Sequence, residues 1–598
     1  MAHIRLALSQ FRPTKGEYAE NVTRIGSVIA QSAQLDPKPE LVVFPETATS
    51  GYFVEGGVKE LAVTAGTLAR DLAAAYQGPT IDVVVGFYER FQNHIYNSAL
   101  YVTLGKQKPE VRHVHRKVFL PTYGVFDEER FVDRGQDGVR SFETGWGGKA
   151  AILICEDAWH SLAATVAALE GAQLIIVPSA SPARGLDEEE ACDGEAVLPV
   201  SVVRWERIVR GIAEEHGVFV ALANLVGFEG GKGFPGASAV IDPTGRVIAR
   251  GPLFEEALLT AEIDLDSLTT ARSDSPLLAD LQSALPVLTK SLSGDKQDQK
   301  VRFDPATNGT PTHAARHTPH AAPIVTGSRD RETDPLAIDA ELTRKWLVSF
   351  LKDEVVRRRG FMKGLVGLSG GVDSSLTAFL AAEALGRENV IGVRMPYRTS
   401  SPESLAHAQL VIDKLGIPAL TIDISDAVDG YLKQAGDIDP HRLGNVMARE
   451  RMIVLFDLSA KHKALPLGTS NKSERLLGYF TWHGDDAPPV NPLGDLFKTQ
   501  VWALARHVGV PEEIVAKPAT ADLIKGQTDE GDLGVSYLHA DRILYHLIRG
   551  EEPSGFPKEE VEIVRKRLDS THWKRRLPTV AVLSQTAIGE FYLRPVDY

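Results

Sequence analysis

Twice along this chain, short β-branched runs alternate with helical stretches, and one long segment without any apolar period separates the two series. In the first series the candidate strands are ELVVFPE, IDVVVGFYE, NSALYVT, AAILICED, AQLIIVPSA and VFVALANLVG, with helical patterns such as LARDLAAAYQ and SLAATVAALEG between some of them. The second series begins near Ile338 and repeats the style with GLVGLSGG, NVIGVRMPY, ALTIDIS and KALPLGTSN. Such alternation predicts α/β layers in both blocks. From Ser291 to Asp334 the chain is polar and rich in Pro, Gly and His, which reads as a linker or surface excursion. The expected division is 1–275, 276–337 and 338–598. His313, His317 and His320 in the middle segment have no cysteine or carboxylate cluster nearby to complete a metal site.

At roughly 150 residues per domain, 598 residues allow two to four domains. Two cysteines exclude a disulfide scaffold and fit a reducing compartment. The start, MAHIRLALSQF, is too polar for a secretory signal, and no run approaches the roughly 18 apolar residues of a membrane span. A net charge of −14 argues against a nucleic-acid footprint. The expectation is a cytoplasmic enzyme with no membrane or nucleic-acid partner.

Cys155 stands where the run AAILI stops and the acids Glu156 and Asp157 begin, the polar end of a strand and not its interior. A cysteine nucleophile needs a base for its proton and a cation for the oxyanion it creates. Glu46, ending LVVFPE, can be the base, and Lys117, in VHRKVFLP, can stabilise the oxyanion. Singly, each has a plain alternative: a solvated carboxylate, a surface lysine, a packed cysteine. Together, in this order, they resemble the nitrilase family of carbon–nitrogen hydrolases, from LALSQFRPTKGEYAENV to SAVIDPTGRVIARG. The resemblance implies an α-β-β-α sandwich with Glu46 as base, Lys117 as oxyanion partner and Cys155 as nucleophile. It also puts Glu128 beside the lysine. The wording ICEDAW is similar to glutaminase members, which implies that Tyr123, Ser179 and Ser181, with Glu128, meet glutamine. The acidic stretch after SASP departs from those members, and Cys192 within it is expected to be inert, because neighbouring acids raise a thiol pKa.

In the second block KGLVGLSGGVDSSLTAFLAAEALG reads as a strand, a glycine-rich turn and a helix starting at Asp373 or Ser374. Such a turn aims backbone N–H groups at a phosphate, yet the Walker lysine is absent. The loop resembles the pyrophosphate loop of enzymes that split ATP into AMP and pyrophosphate. This implies a doubly wound parallel sheet of the ATP pyrophosphatase type (adenine nucleotide alpha hydrolase-like), with ATP against Gly367, Leu368, Ser369, Gly370, Gly371, Val372, Asp373 and Ser374. The stretches GNVMARERM, LPLGTSNKSERLLGYFTWHGDDAPPVNPLGDLFKTQVW and KPATADLIKGQTDEGDLGVSY resemble the NAD synthetase family over about residues 338–580. That resemblance implies Asp373 and Glu474 as magnesium carboxylates and Thr469, Lys498 and Thr520 as ATP contacts. It places Arg449, Glu474 and Lys574 at the deamido-NAD substrate. Trp482 and Pro489 depart from the ammonia-only pattern in the expected substrate lid, where Asp485 and Asp486 are candidates to take over, and Trp573 replaces the histidine that usually precedes the position of Lys574.

The combined expectation is ATP-dependent amidation of deamido-NAD, with ammonia passed internally from a glutamine-cleaving site, in a homo-oligomer. Two alternatives stay open: amidation of another carboxylate, and a first block that is an idle scaffold.

Overall fold

Leu6 and Leu8 leave the strand His3–Gln10 on one side and Ala7 on the other, and each side meets its own core. The computed structural model describes residues 3–54, 57–105, 108–123, 126–183, 188–190, 197–292, 334–520 and 528–576. His3–Gln10 belongs to a six-stranded sheet ordered Ala257–Asp264, His3–Gln10, Leu41–Val43, Ile81–Phe91, His94–Leu104, Glu110–Arg116. A second six-stranded sheet runs Val247–Arg250, Ala239–Ile241, Phe219–Asn224, Leu174–Ser179, Lys149–Ile152, Ser141–Glu143.

Leu6, Leu8, Val43 and Val84 of the first sheet share one core with Ile152, Ile176 and Val220 of the second. On the outer face of the first sheet, Ala7, Val42 and Val85 pack on Ile25 and Ile29 of helix Tyr18–Ser32 and Leu68 and Leu72 of helix Ala65–Ala75. Helices Ser161–Leu169 and Val200–His216 cover the second sheet through Ala164, Ala167, Val209 and Ala213. This is the expected α-β-β-α sandwich. The edge strand Ala257–Asp264, antiparallel to His3–Gln10 along its whole length, was not among the expected strands.

The second block holds a four-stranded parallel sheet ordered Ala419–Thr421, Val390–Arg394, Lys363–Gly367, Ala464–Leu467. The chain winds outward from Lys363–Gly367 in one direction and returns to its other side, so a crevice opens at the carboxyl ends where the order reverses. Helix Val372–Leu385 starts there, one residue earlier than expected.

Part of the expected linker is regular. Leu277–Leu292 is a helix, and its Leu278 packs against the core of the sandwich. The remainder, with His313, His317 and His320, lies outside the described residues. The two blocks touch through aromatic side chains: Phe228 meets Trp346 and Phe350 at 5.2 and 5.7 Å, and Phe254 meets Trp346 at 5.0 Å. Beside them Arg12 Nη1 pairs with Asp353 Oδ1 at 2.8 Å. Among the described residues no helix is long and apolar enough to cross a membrane.

Candidate active sites

Glu46, Lys117 and Cys155 each follow the end of a strand, Leu41–Val43, Glu110–Arg116 and Lys149–Ile152 respectively. The sandwich brings these ends together. Lys117 Nζ lies 2.7 Å from Glu46 Oε1 and 2.8 Å from Glu128 Oε2. Asn97 Nδ2 donates to both carboxylates at 2.8 Å, and the Ala180 N–H donates to Glu46 Oε2 at 2.8 Å. Ser179 Oγ donates to Cys155 Sγ at 3.5 Å. All of these side chains are buried.

Burial works against the Lys117 ammonium, but the charges of Glu128 and Glu46 outweigh it and hold the lysine well above its ordinary value. For Cys155, burial and then the Glu46 charge push the thiol well up, against the pull of Lys117. Burial also raises Glu128 despite the lysine beside it. The resting sulfur is therefore a thiol, and attack on an amide requires a base at hand. The backbone is shaped for this chemistry. Cys155 and Thr47 both carry left-handed φ angles, +46° and +50°. A Cβ on Gly86 would lie 2.5 Å from Pro45 O and Thr47 N, so only glycine lets the neighbouring strand pass beneath Glu46.

Asp157 ties two of these loops together. Oδ1 accepts from Val118 N at 3.0 Å and Phe119 N at 2.9 Å, and Oδ2 accepts from Ile154 N at 3.1 Å and lies 2.8 Å from His115 Nε2. Of the expected glutamine contacts, Glu128 and Ser179 join the cluster. Ser181 Oγ accepts instead from the Trp205 indole, and the exposed Tyr123 hydroxyl donates to Glu156, next to Cys155. Cys192 lies outside the described residues. Asn97, Asp157 and the Ala180 N–H were not anticipated.

The second site is a cavity of about 690 Å³ at the crevice of the parallel sheet. Gly367, Leu368, Ser369, Gly371, Val372, Asp373 and Ser374 line it, with Thr469, Glu474, Lys498 and Thr520. Gly370 shapes the turn from behind: its φ is +78°, and a Cβ there would stand 2.2 Å from Ser404 O. Lys498 Nζ lies 2.6 Å from Asp373 Oδ2 and 3.1 Å from Glu474 Oε1. Asn471 fixes both acids, donating through Nδ2 to Asp373 Oδ1 at 2.9 Å while its Oδ1 accepts from Glu474 N at 3.0 Å. Burial, opposed by Lys498 and reinforced by Asp373 and Asp529, pushes the Glu474 carboxyl up to about 8. Lys498 Nζ pairs with both acids, and a further cation beside them would favour the ionised form of Glu474. Among the described residues no group of three or more side chains has the geometry of a metal site on its own. Magnesium binds through one or two carboxylates plus phosphate oxygens and water, so Asp373 and Glu474 fit an ion that arrives with a nucleotide.

Arg449 and Lys574 lie behind the stretch that borders this cavity. Arg449 donates through Nε and Nη2 to Trp482 O at 3.3 and 3.2 Å, and Lys574 Nζ donates to Gly478 O at 2.7 Å and to Phe480 O. Both brace the 478–482 stretch, of which Gly478, Tyr479, Phe480 and Thr481 face the cavity. Trp482 packs edge-on to Trp573 at 5.3 Å. Asp485 lines the cavity and accepts from Thr481 N at 2.7 Å, while Pro488 and not Pro489 is in the wall. Asp529, also in the wall, was not anticipated.

Fold and sites together define a carbon–nitrogen hydrolase unit joined to a nucleotide-binding synthetase unit. The Carbon-nitrogen hydrolase family model matches residues 5–273 and the NAD synthase model residues 344–578. The glutamine-dependent NAD(+) synthetase of Thermotoga maritima is 32% identical over 620 aligned positions, covering 100% of this chain and 99% of that protein. The NH(3)-dependent NAD(+) synthetase of Trichlorobacter lovleyi is 48% identical over 269 positions, 44% of this chain and 98% of that protein. A solved structure of glutamine-dependent NAD+ synthetase from Acinetobacter baumannii, in complex with ADP, shares the fold at 24% identity and a TM-score of 0.67, covering 100% of this chain and 99% of that one. The chain belongs to the family of glutamine-dependent NAD(+) synthetases.

Proposed function

We propose that this chain amidates deamido-NAD to NAD at the expense of ATP, taking its nitrogen from glutamine at the Cys155 site. One observation carries the reading: a single chain holds the buried Glu46–Lys117–Cys155 cluster and, in its second block, a cavity of about 690 Å³ bordered by the SGGVDS loop. The division into 1–275, 276–337 and 338–598 remains our working description of the chain.

Glu46 takes the thiol proton as Cys155 attacks the glutamine amide carbon, and Lys117 faces the oxyanion. The C–N bond breaks, ammonia leaves with a proton returned by Glu46, and water cleaves the thioester to glutamate. In the second site the nicotinate carboxylate attacks the α-phosphorus of ATP and releases pyrophosphate. The Ser369–Ser374 loop holds the phosphates through backbone N–H groups, and Lys498 balances their charge. Magnesium, held by Asp373 and Glu474, would supply charge neutralisation to the phosphates. Ammonia then displaces AMP from the adenylate. Sheltered delivery suits this chemistry, because free ammonia is mostly protonated near neutral pH and no longer a nucleophile.

The test is NAD formation from deamido-NAD and ATP with glutamine or with ammonium, in wild type and Cys155→Ala. The expected result is loss of glutamine-dependent synthesis alone. Retained glutamine-dependent activity in the variant refutes the assignment of Cys155.

A further inference from the structure

Glu229 ends the strand Val226–Glu229 of a short hairpin completed by Lys232–Pro235, and it is buried. Its carboxylate accepts from Tyr52 N at 2.9 Å and from Phe53 N at 2.8 Å. A Cβ on Gly51, whose φ is +83°, would come within 2.9 Å of Glu229 Oε1, so the chain before Tyr52 lies flat against this carboxylate. Lys232 adds a second hold, with its Nζ 4.0 Å above the Phe53 ring. On its other side the hairpin meets the second block: Phe228 packs on Trp346 and Phe350, and a Cβ on Gly233 would lie 2.2 Å from Trp346.

What this clamp holds is Tyr52. Its ring lies 5.8 Å from Lys117 Nζ, and burial, followed by the charges of Glu128 and Glu46, raises its phenol. Tyr52 is 5% exposed, and among the described residues its hydroxyl has no hydrogen-bond partner. A buried hydroxyl without a partner is costly, and this one sits among the groups that cleave the amide.

We infer that Glu229 is a positioning residue for glutamine cleavage, fixing the Tyr52–Phe53 backbone so that the Tyr52 hydroxyl donates to the bound glutamine. This rests on the reading of Cys155 as a glutamine-cleaving nucleophile. Glu229 touches neither substrate nor reacting atoms; it acts through Tyr52.

The experiment uses the full chain and measures KM and kcat for glutamine, with the ammonium-dependent rate as reference. Tyr52→Phe removes the hydroxyl and keeps the ring, and Glu229→Leu removes both acceptors at similar volume. Each should raise the glutamine KM at least fivefold and leave the ammonium-dependent rate within twofold. Glu229→Gln, whose carbonyl oxygen can still accept from both N–H groups, should restore most of the affinity. The double variant Tyr52→Phe/Glu229→Leu should be no worse in KM than the poorer single variant, because both act through one contact. Unchanged KM in Tyr52→Phe, no recovery of affinity in Glu229→Gln, or effects that multiply in the double variant would each overturn the inference. If Glu229→Leu does not fold, Tyr52→Phe and Glu229→Gln still decide it. A Cys155→Ala chain that still consumed glutamine would instead sink the underlying reading.

Discussion

The carboxylate of Asp157 accepts a hydrogen bond from the amide of Phe119 at 2.9 Å, which joins the turn that presents Cys155 to the loop that presents Lys117. Bonds from Val118 N and Ile154 N to the same carboxylate make it the common anchor of nucleophile and cation. Asp157→Ala leaves the buried Ile154 N–H and the partly buried Val118 and Phe119 N–H groups without this acceptor, at up to about 1–3 kcal/mol for the buried one and less for the other two. The expected outcome is a clear fall in thermal midpoint and a more than tenfold loss of glutamine-dependent synthesis, with ammonium-dependent synthesis retained by the folded fraction. Asp157→Asn keeps an acceptor and should lose less. Wild-type thermal stability in Asp157→Ala would show that the anchor is dispensable.

Lys117→Met strands Glu46 and Glu128 in the interior without a cation, a change worth about 3–5 kcal/mol of stability. The pairing raises the lysine in the folded state, so its stabilisation is fully present below the unfolded value of 10.5 and fades only as pH climbs through the higher folded value. In the variant the unpaired acids are eased by protonation, so the deficit in urea unfolding should be smaller at pH 5 than at pH 8. A deficit that does not depend on pH would contradict this account.

Asp353 supplies a second pH signature. Burial, opposed by Arg12 and reinforced by Glu354, lifts its carboxyl from 3.8 to about 6. A raised acid holds its proton longer in the folded state, so its contribution is present below pH 3.8 and is lost as pH rises to about 6. The slope is at most about 1.4 kcal/mol per pH unit. Asp353→Asn should flatten the dependence of unfolding free energy on pH across this window. An unaltered slope would assign it to other groups.

At the second site, Asp373→Asn, Glu474→Gln and Gly370→Ala should each impair synthesis with glutamine and with ammonium alike. The first two remove carboxylates proposed to hold magnesium, a loss of several kcal/mol of transition-state stabilisation. The third drives a methyl group to 2.2 Å from Ser404 O and displaces the phosphate loop. A rate defect confined to glutamine would place these residues outside the synthetase chemistry.

The buried strands were legible because runs such as VVVGF and LIIVPS admit little else at that length. Ala257–Asp264 was not, since an edge strand needs only partial burial and three of the eight residues of ALLTAEID are polar. Glu46, Lys117 and Cys155 stood out as reactive groups at strand ends. Asn97 and the Ala180 N–H did not, because an amide inside NSALYVT and a backbone donor leave no mark in composition; only the closed sandwich brings them to Glu46. Asp157 was visible as an acid beside Cys155, but its partners Val118 and Phe119 belong to another loop. For Arg449 and Lys574 the motif was recognisable, but their hydrogen bonds to the carbonyls of the 478–482 stretch were not, since those acceptors are backbone atoms far away in the chain.

The backbone at Cys155 has a thermodynamic consequence. With φ at +46°, a residue bearing a Cβ is strained there by roughly 1–2 kcal/mol. Glycine would sit at ease, though it loses more entropy on folding. Of two variants equally unable to attack an amide, Cys155→Gly should therefore unfold at a temperature no lower than Cys155→Ala, a comparison calorimetry can make. A chain selected for stability alone would keep no side chain at this turn; one selected to cleave an amide must tolerate the strain to hold its sulfur there.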